Sequence, residues 1–440
     1  MRITVIGTGY LGAVHAACMA EIGHEVLGVD VDAAKIESLA LGRPPFHEHG
    51  LGDLLNRNVR NERLQFTTSL AAAAAFSDVH FICVGTPQKP GSNAADLRYV
   101  DAVVDGLAPH LRTGALVVGK STVPVGTAAR LIERLRELMP AGIPADLAWN
   151  PEFLREGFAV RDTLRPDRIV VGVTSTVADV VLREVYAPIL QTEDTPWIST
   201  DLATAELVKV AANAFLATKI SFTNAMAEIC DAAGGDVVPL TDAIGYDARI
   251  GRRFLSAGVG FGGGCLPKDI RAFMARAGEL GVGETLSFLQ NVDDINMRSR
   301  RRAIAIAREL TGGTFIGRNV AVLGAAFKPD SDDIRDSPAL DVAVAVHRQG
   351  ARVRVHDPVA MDNARAQFPA LEYAPDVENT CEHADVVLHL TEWSDYRKLD
   401  PSALAKIVRQ PYVLDGRNAL DMQTWRDAGW TVRALGRAHH

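Results

Sequence analysis

The chain has 440 residues, of which 48% are hydrophobic and 23% charged, with a formal net charge of −8. A chain of that length suggests roughly three domains, and its balance excludes disorder. The acidic charge is spread along the sequence, which leaves no nucleic-acid footprint, and no uncharged apolar run is long enough to span a bilayer.

The chain opens directly into a strand pattern, Arg2 to Gly7, without a charged n-region and cleavage site, so no secretory leader is expected. Helix follows at Ala13 to Ile22, then a strand from Glu25 to Asp30. Strand-like runs recur at Val79 to Val84, Ala115 to Gly119 and Ile169 to Val173, with helical stretches between them. That rhythm predicts a parallel sheet covered by helices. From Thr200 to about Ala233 the sequence is alanine-rich and lacks proline, after the cap signals Ser199-Thr200-Asp201; it reads as one long helix. Helices are expected at Asp269 to Leu280 and Leu286 to Leu310, the latter carrying the basic cluster Arg298 to Arg302, which reads as a solvated face. After Gly312-Gly313 the α/β rhythm restarts with the strand Asn319 to Gly324, a helix at Ser337 to Gln349 and the strand Arg352 to His356.

The expected fold is α/β, with two Rossmann-like doubly wound domains joined by a long central helix and a helical middle. The segments are 1–199, binding NAD, 200–311, and 312–440. Five cysteines, Cys18, Cys83, Cys230, Cys265 and Cys381, are odd in number and form no C-x-x-C pair. Neither a disulfide framework nor a metal site is expected, and a reducing, cytoplasmic setting fits.

Two glycine-rich loops carry the chemistry. Gly7-Thr8-Gly9-Tyr10-Leu11-Gly12 is G-x-G-x-x-G between a strand and a helix. Gly7 permits the tight turn, Gly9 lets a pyrophosphate approach the backbone, and Gly12 lets helix pack on strand. The helix N-terminus offers free N–H groups to phosphate. Asp30 ends the second strand, where a carboxylate bonds a ribose hydroxyl and repels a 2′-phosphate, favouring NAD over NADP. Gly85-Thr86-Pro87 and Ser121-Thr122 follow later strands, as cofactor or substrate turns or as ordinary ones. The second loop, Gly258 to Gly264, places Cys265 before a helix with Lys268 and Asp269 close by. A helix N-terminus and a nearby lysine favour a thiolate, so Cys265 is a candidate nucleophile, although a buried structural role is the commoner fate of a lone cysteine. Asn150 to Gly157 is a polar loop whose carboxylates serve as a base or as helix caps. Lys209 and Asn213, four apart on the long helix, share a face and either stabilise an oxyanion or stand solvated.

Taken together, GxGxxG with Asp30 and Lys35, VGTP at 84–87, STVPVGT at 121–127, NPEFLREG at 150–157, ELVKVAANAFLA at 206–217, IGYDARIG at 244–251, FGGGCLPKD at 261–269 and FKPDSDDIRDSP at 327–338 resemble the UDP-glucose/GDP-mannose dehydrogenase family. The resemblance runs from Arg2 to about Arg417. It implies oxidation of a nucleotide sugar's C6 alcohol to a carboxylate by two NAD molecules in succession, with UDP-glucose favoured over GDP-mannose, through a thiohemiacetal and a thioester on Cys265. It implies Glu152 as the group activating water, Thr122 and Asp269 as orienting groups, and Lys209 with Asn213 as oxyanion stabilisers. The implied NAD contacts are the first glycine loop with Tyr10 and Leu11, then Asp30, Lys35, Gly85, Thr86, Pro87, Ser121, Thr122, Glu156, Lys268 and Arg335. The implied sugar-nucleotide contacts begin with Glu152, Phe153, Leu154, Arg155, Glu156, Lys209 and Asn213. They continue through Arg249, Phe254, Leu255, Ser256, Gly258 and Gly260 to Phe327, Lys328 and Arg417. The family's long helix joins subunits, and the residue matching Arg249 reaches the neighbour's site, so a homodimer at least is implied. Gly264, Leu266 and Ser256 depart from the residues usual at their positions. A catalytically idle binding protein and a cysteine-independent two-electron dehydrogenase are the competing readings.

Overall fold

The computed structural model describes residues 1–440 apart from 141–143, 145, 193 and 438–440. The chain gathers into two compact units, Met1–Ala212 with Arg271–Gly283, and Asn213–Ile270 with Glu284–His440. Two of the three boundaries fall inside the helices Leu202–Ala233 and Leu266–Glu279, and the third falls inside the short 3-10 turn Gly283–Leu286.

The first unit is built on an eight-stranded sheet of β1 (Arg2–Ile6), β2 (Glu25–Val29), β3 (Leu64–Thr67), β4 (Val79–Ile82), β5 (Leu116–Gly119), β6 (Asp146–Trp149), β7 (Ile169–Gly172) and β8 (Trp197–Thr200). The order is β3-β2-β1-β4-β5-β6-β7-β8. Successive strand residues feed opposite cores: Ile3, Val5, Phe81 and Val118 pack on one face, and Ile6, Ile82 and Val117 on the other. Both faces of the sheet are therefore covered, which is why its strands read as unbroken apolar runs. The direction of winding reverses between β1 and β4, which opens a crevice at the carboxyl ends of the strands. One pairing departs from the parallel expectation, because β6 meets β7 antiparallel through Trp149 and Gly172. Only the six-residue helix Ala159–Leu164 separates them, and the chain re-enters the sheet from the end it left.

In the second unit β9 (Asn319–Leu323), β10 (Arg352–His356), β11 (Glu372–Tyr373), β12 (Val386–His389), β13 (Tyr412–Asp415) and β14 (Thr431–Ala434) form a parallel sheet in the order β11-β10-β9-β12-β13-β14. That repeats the order of the first six strands.

The long helix runs Leu202–Ala233, and Asp201 caps it by accepting from Thr204 N at 2.8 Å. The helix after the cysteine begins at Leu266, earlier than Asp269, because Pro267 in the first turn needs no N–H partner. A further helix, Val237–Gly245, follows the Asp236 cap. The basic cluster is not a simple solvated face. Arg300 is buried and pairs with Asp336 at 3.0 Å and with Asp341, while Arg298 pairs with Glu228 and Arg302 with Asp231.

Among the described residues no helix is long and apolar enough to cross a membrane, and no cluster of His, Cys, Asp or Glu is arranged to hold a metal.

Candidate active site

In the first unit the glycine turn joins β1 to the helix Tyr10–Glu21, whose N-cap is Gly9, without a side-chain cap. Gly7 stands at φ +91°, a left-handed conformation that glycine adopts readily. Nothing lies within 4 Å of the space over Gly9, so the backbone there is open to a ligand, whereas a Cβ on Gly12 would overlap the Gly7 carbonyl oxygen. Asp30, at the end of β2, accepts from Thr8 N at 2.9 Å, Thr8 Oγ1 at 3.0 Å and Asp32 N at 3.1 Å, with Lys35 Nζ at 3.0 Å. Burial pushes its carboxyl up, but the hydrogen bonds from Asp32, Lys35 and Thr8 prevail and hold it below the usual carboxylate range. An open backbone turn, a helix N-terminus and an ionised carboxylate at the end of the second strand fit a dinucleotide with a free ribose diol.

The turns after β4 and β5 are tied together. Thr86 Oγ1 donates to Thr122 O at 2.6 Å, and Ser121 Oγ donates to Val84 O at 2.7 Å. Neither is an isolated turn, and both lie at the carboxyl ends of strands beside the winding reversal.

Glu152, in the loop after β6, pairs with Lys209 Nζ at 2.9 Å and accepts Leu154 N at 2.8 Å. Lys209 is buried, which removes the solvated alternative. The Phe153 ring meets two cations, Arg168 at 3.8 Å and Lys209 at 5.6 Å from its centre. Arg155 turns to Asp162 at 2.7 Å. Sequence reasoning missed Glu48, which is buried. It accepts Gly157 N at 2.7 Å, Ala159 N at 2.8 Å and the Tyr10 hydroxyl, and so fastens the Glu152 loop to the glycine turn. Burial and the neighbouring Glu48 push the Tyr10 phenol up.

In the second unit Cys265 is exposed, whereas Cys18, Cys83, Cys230 and Cys381 are buried. Cys265 precedes the helix Leu266–Glu279, and its carbonyl accepts Asp269 N at 3.0 Å. Asp269 is buried, takes Asn213 Nδ2 on one oxygen at 2.7 Å and holds Lys268 on the other at 2.6 Å. Asn213, also buried, thus has its amide aimed by a carboxylate. A Cβ on Gly264 would lie 2.5 Å from both terminal nitrogens of Arg335, so a side chain there would push that flexible guanidinium aside. That guanidinium rests on the cysteine loop while Asp333 grips it at 2.6 Å. Gly263 packs under the Phe327 ring. Arg417 donates to Leu390 O and Gly260 O, both at 2.8 Å, and to Phe327 O at 3.2 Å, which ties the second glycine loop to Phe327. Leu255 and Gly258 are buried, Lys328 is half-buried, and Ser256 and Phe254 are exposed. Arg249 is exposed and held by Asp247 at 2.6 Å.

The two doubly wound sheets, the open glycine turn with its acidic strand end, and an exposed thiol at a helix start define an NAD-binding α/β oxidoreductase. Family profiles match along the chain as the NAD binding domain (residues 1–190), the central domain (203–298) and the UDP binding domain (321–422) of one family. The chain belongs to the UDP-glucose/GDP-mannose dehydrogenase family. It is 42% identical over 440 residues to a UDP-glucose 6-dehydrogenase of Rhizobium meliloti, covering 99% of this chain and 100% of that protein. It is 40% identical over 438 residues to one of Bacillus subtilis, with 99% and 93% covered. The solved UDP-glucose dehydrogenase of Pyrobaculum islandicum superposes with a TM-score of 0.91 at 39% identity, over 99% of this chain and 98% of that one.

Proposed function

We propose that this protein oxidises the C6 alcohol of UDP-glucose to a carboxylate, giving UDP-glucuronate. The observation that carries this reading is the exposed Cys265 in a glycine loop at the start of a helix whose Asp269 holds Asn213, in a chain that also bears an NAD turn. The chemistry explains the pairing. An aldehyde has no tetrahedral centre bearing both a hydrogen and an oxyanion, and addition of the Cys265 thiolate makes one. NAD, when bound, supplies the hydride acceptor for each of the two oxidations.

Cys265 forms its C–S bond to the aldehyde carbon while the carbonyl oxygen takes the charge. The Lys209 ammonium and the Asn213 amide, one turn apart on the same helix, stabilise that oxyanion. At the thioester, the Glu152 carboxylate takes a proton from water as the water oxygen bonds to the carbonyl carbon; the C–S bond then breaks and the thiolate is restored. Thr122 and Asp269 orient these groups. Glu152 to Glu156, Arg249, Phe254 to Gly260, Phe327, Lys328 and Arg417 serve the sugar nucleotide, and Glu156, Lys268 and Arg335 serve NAD. The relatives named above support UDP-glucose over GDP-mannose. With UDP-glucose, GDP-mannose and UDP-N-acetylmannosamine assayed in parallel, kcat/KM for UDP-glucose is expected to exceed the others by about 10²-fold or more. Equal or greater turnover of another sugar would reassign the substrate.

The protein acts as a homodimer in the cytoplasm. Five cysteines, none of them in a disulfide, suit a reducing compartment. Phe215, Phe222 and Ile229, seven residues apart on the long helix, are 67%, 50% and 60% exposed, an apolar stripe suited to a second copy of the chain. Phe222→Asp is expected to move the protein to monomer mass in sedimentation equilibrium. An unchanged mass would place the interface elsewhere.

A further inference from the structure

We propose that Lys120 is a positioning residue for the water-activating step: its ammonium, held by Asn150 and Tyr186, fixes the strand end that carries Glu152 and supplies part of the field in which that carboxylate works. This rests on the assignment of Glu152 as the base.

Lys120 follows the last residue of β5 and is 7% exposed. Its Nζ lies 2.9 Å from Asn150 Oδ1 and 3.2 Å from the Tyr186 hydroxyl. Tyr186 donates to the same Asn150 oxygen at 2.6 Å, and Asn150 Nδ2 donates to Val170 O at 2.8 Å. One ammonium therefore joins the ends of β5 and β6 to β7 and to the helix Thr176–Thr192. Two residues beyond Lys120 is Thr122, and two beyond Asn150 is Glu152. The arrangement is poor design for a purely structural tie, because apolar side chains of the same volume close such a gap without desolvating a charge. A carboxylate in the field of a buried cation gives that charge a use.

The titratable groups facing Lys120 come from each neighbouring element. They are the buried Cys83 after β4, His15 on the helix Tyr10–Glu21, Tyr186, Glu152 and Lys209. Both ring nitrogens of His15 lack a hydrogen-bond partner, and burial, then the charge of Lys120, push that imidazole well down, so it adds no second cation. Burial lowers the Lys120 amine to about 8; the fields of Cys83 and Glu152 favour its charge, while that of Lys209 opposes it. The ammonium is present below that pH and lost above it.

The test measures kcat and KM against pH with UDP-glucose and NAD for the wild type, Lys120→Met and Tyr186→Phe. For Lys120→Met a fall in kcat of about tenfold or more is expected, with both KM values within about threefold and no alkaline limb near pH 8. Tyr186→Phe removes an oxygen from the ammonium and is expected to move that limb down by about one pH unit. A kcat for Lys120→Met within about twofold of wild type, or an alkaline limb that Lys120→Met retains, overturns the proposal. If Lys120→Met does not fold, Tyr186→Phe decides: a shifted limb supports the proposal and an unshifted one overturns it. Turnover of UDP-glucose by the wild type that ignores Lys120 defeats only this inference. A wild type that does not turn over UDP-glucose defeats the proposed function, and this inference with it.

Discussion

Cys265→Ser is expected to lower UDP-glucuronate formation by about 10³-fold or more while leaving the affinity for UDP-glucose within about twofold. The serine oxygen occupies nearly the same volume, and the hydrogen bonds among Asn213, Asp269 and Lys268 do not involve the thiol, so the surroundings persist. What is lost is the anion. A thiol yields a nucleophilic thiolate near neutral pH, whereas an alcohol needs an adjacent base to ionise. Turnover followed by NADH absorbance and binding followed by titration calorimetry separate the two effects. Activity within tenfold of wild type would remove Cys265 from the mechanism and revive the cysteine-independent dehydrogenase reading. Clear wild-type turnover excludes the idle binding protein.

The second large effect lies in the first glycine turn. Gly12→Ala sets a methyl into the Gly7 carbonyl oxygen, 2.9 Å from the Gly7 carbonyl carbon and 3.1 Å from Cys83 Cβ. Because the obstacle is mainly backbone, the strand and the helix must part. Overpacking of this kind costs about 1–3 kcal/mol even where side chains can move, so a loss of about 3 kcal/mol or more is expected. At about 2–4 °C per kcal/mol for a domain of this size, the melting midpoint drops by about 6 °C or more, and NAD affinity falls with it. Gly9→Ala is the internal control. Nothing lies within 4 Å of its added methyl, so its midpoint stays within about 2 °C, while the backbone approach that a pyrophosphate needs is blocked. A Gly12→Ala protein with wild-type stability and NAD affinity would contradict the packing described for this turn.

These two loops were legible in the sequence because each needs glycine at fixed offsets from a strand or a helix. The strands were legible for a similar reason, since burial on both faces leaves short apolar runs. The supports of the site were not. Glu48 reaches a loop more than a hundred positions away, and Lys120 meets partners 30 and 66 residues on. A single buried polar residue has no period to betray it. What lies over Gly264 was equally hidden, because the Arg335 guanidinium comes from a distant segment. The Arg298 to Arg302 cluster misled for a related reason, because charge alone does not reveal that Arg300 has carboxylates waiting on another segment. The start of the cysteine helix depended on Pro267, which reads as a breaker in the interior but suits a first turn.

On the proposed mechanism one active chain carries its sugar through two oxidations, with Cys265 holding the aldehyde carbon between them. The direct measurement is the amount of NADH released per UDP-glucose consumed, taken to completion with NAD in excess and with the product identified. Two NADH per sugar with UDP-glucuronate as product is the predicted result. One NADH per sugar, with an aldehyde or ketone accumulating, would contradict it.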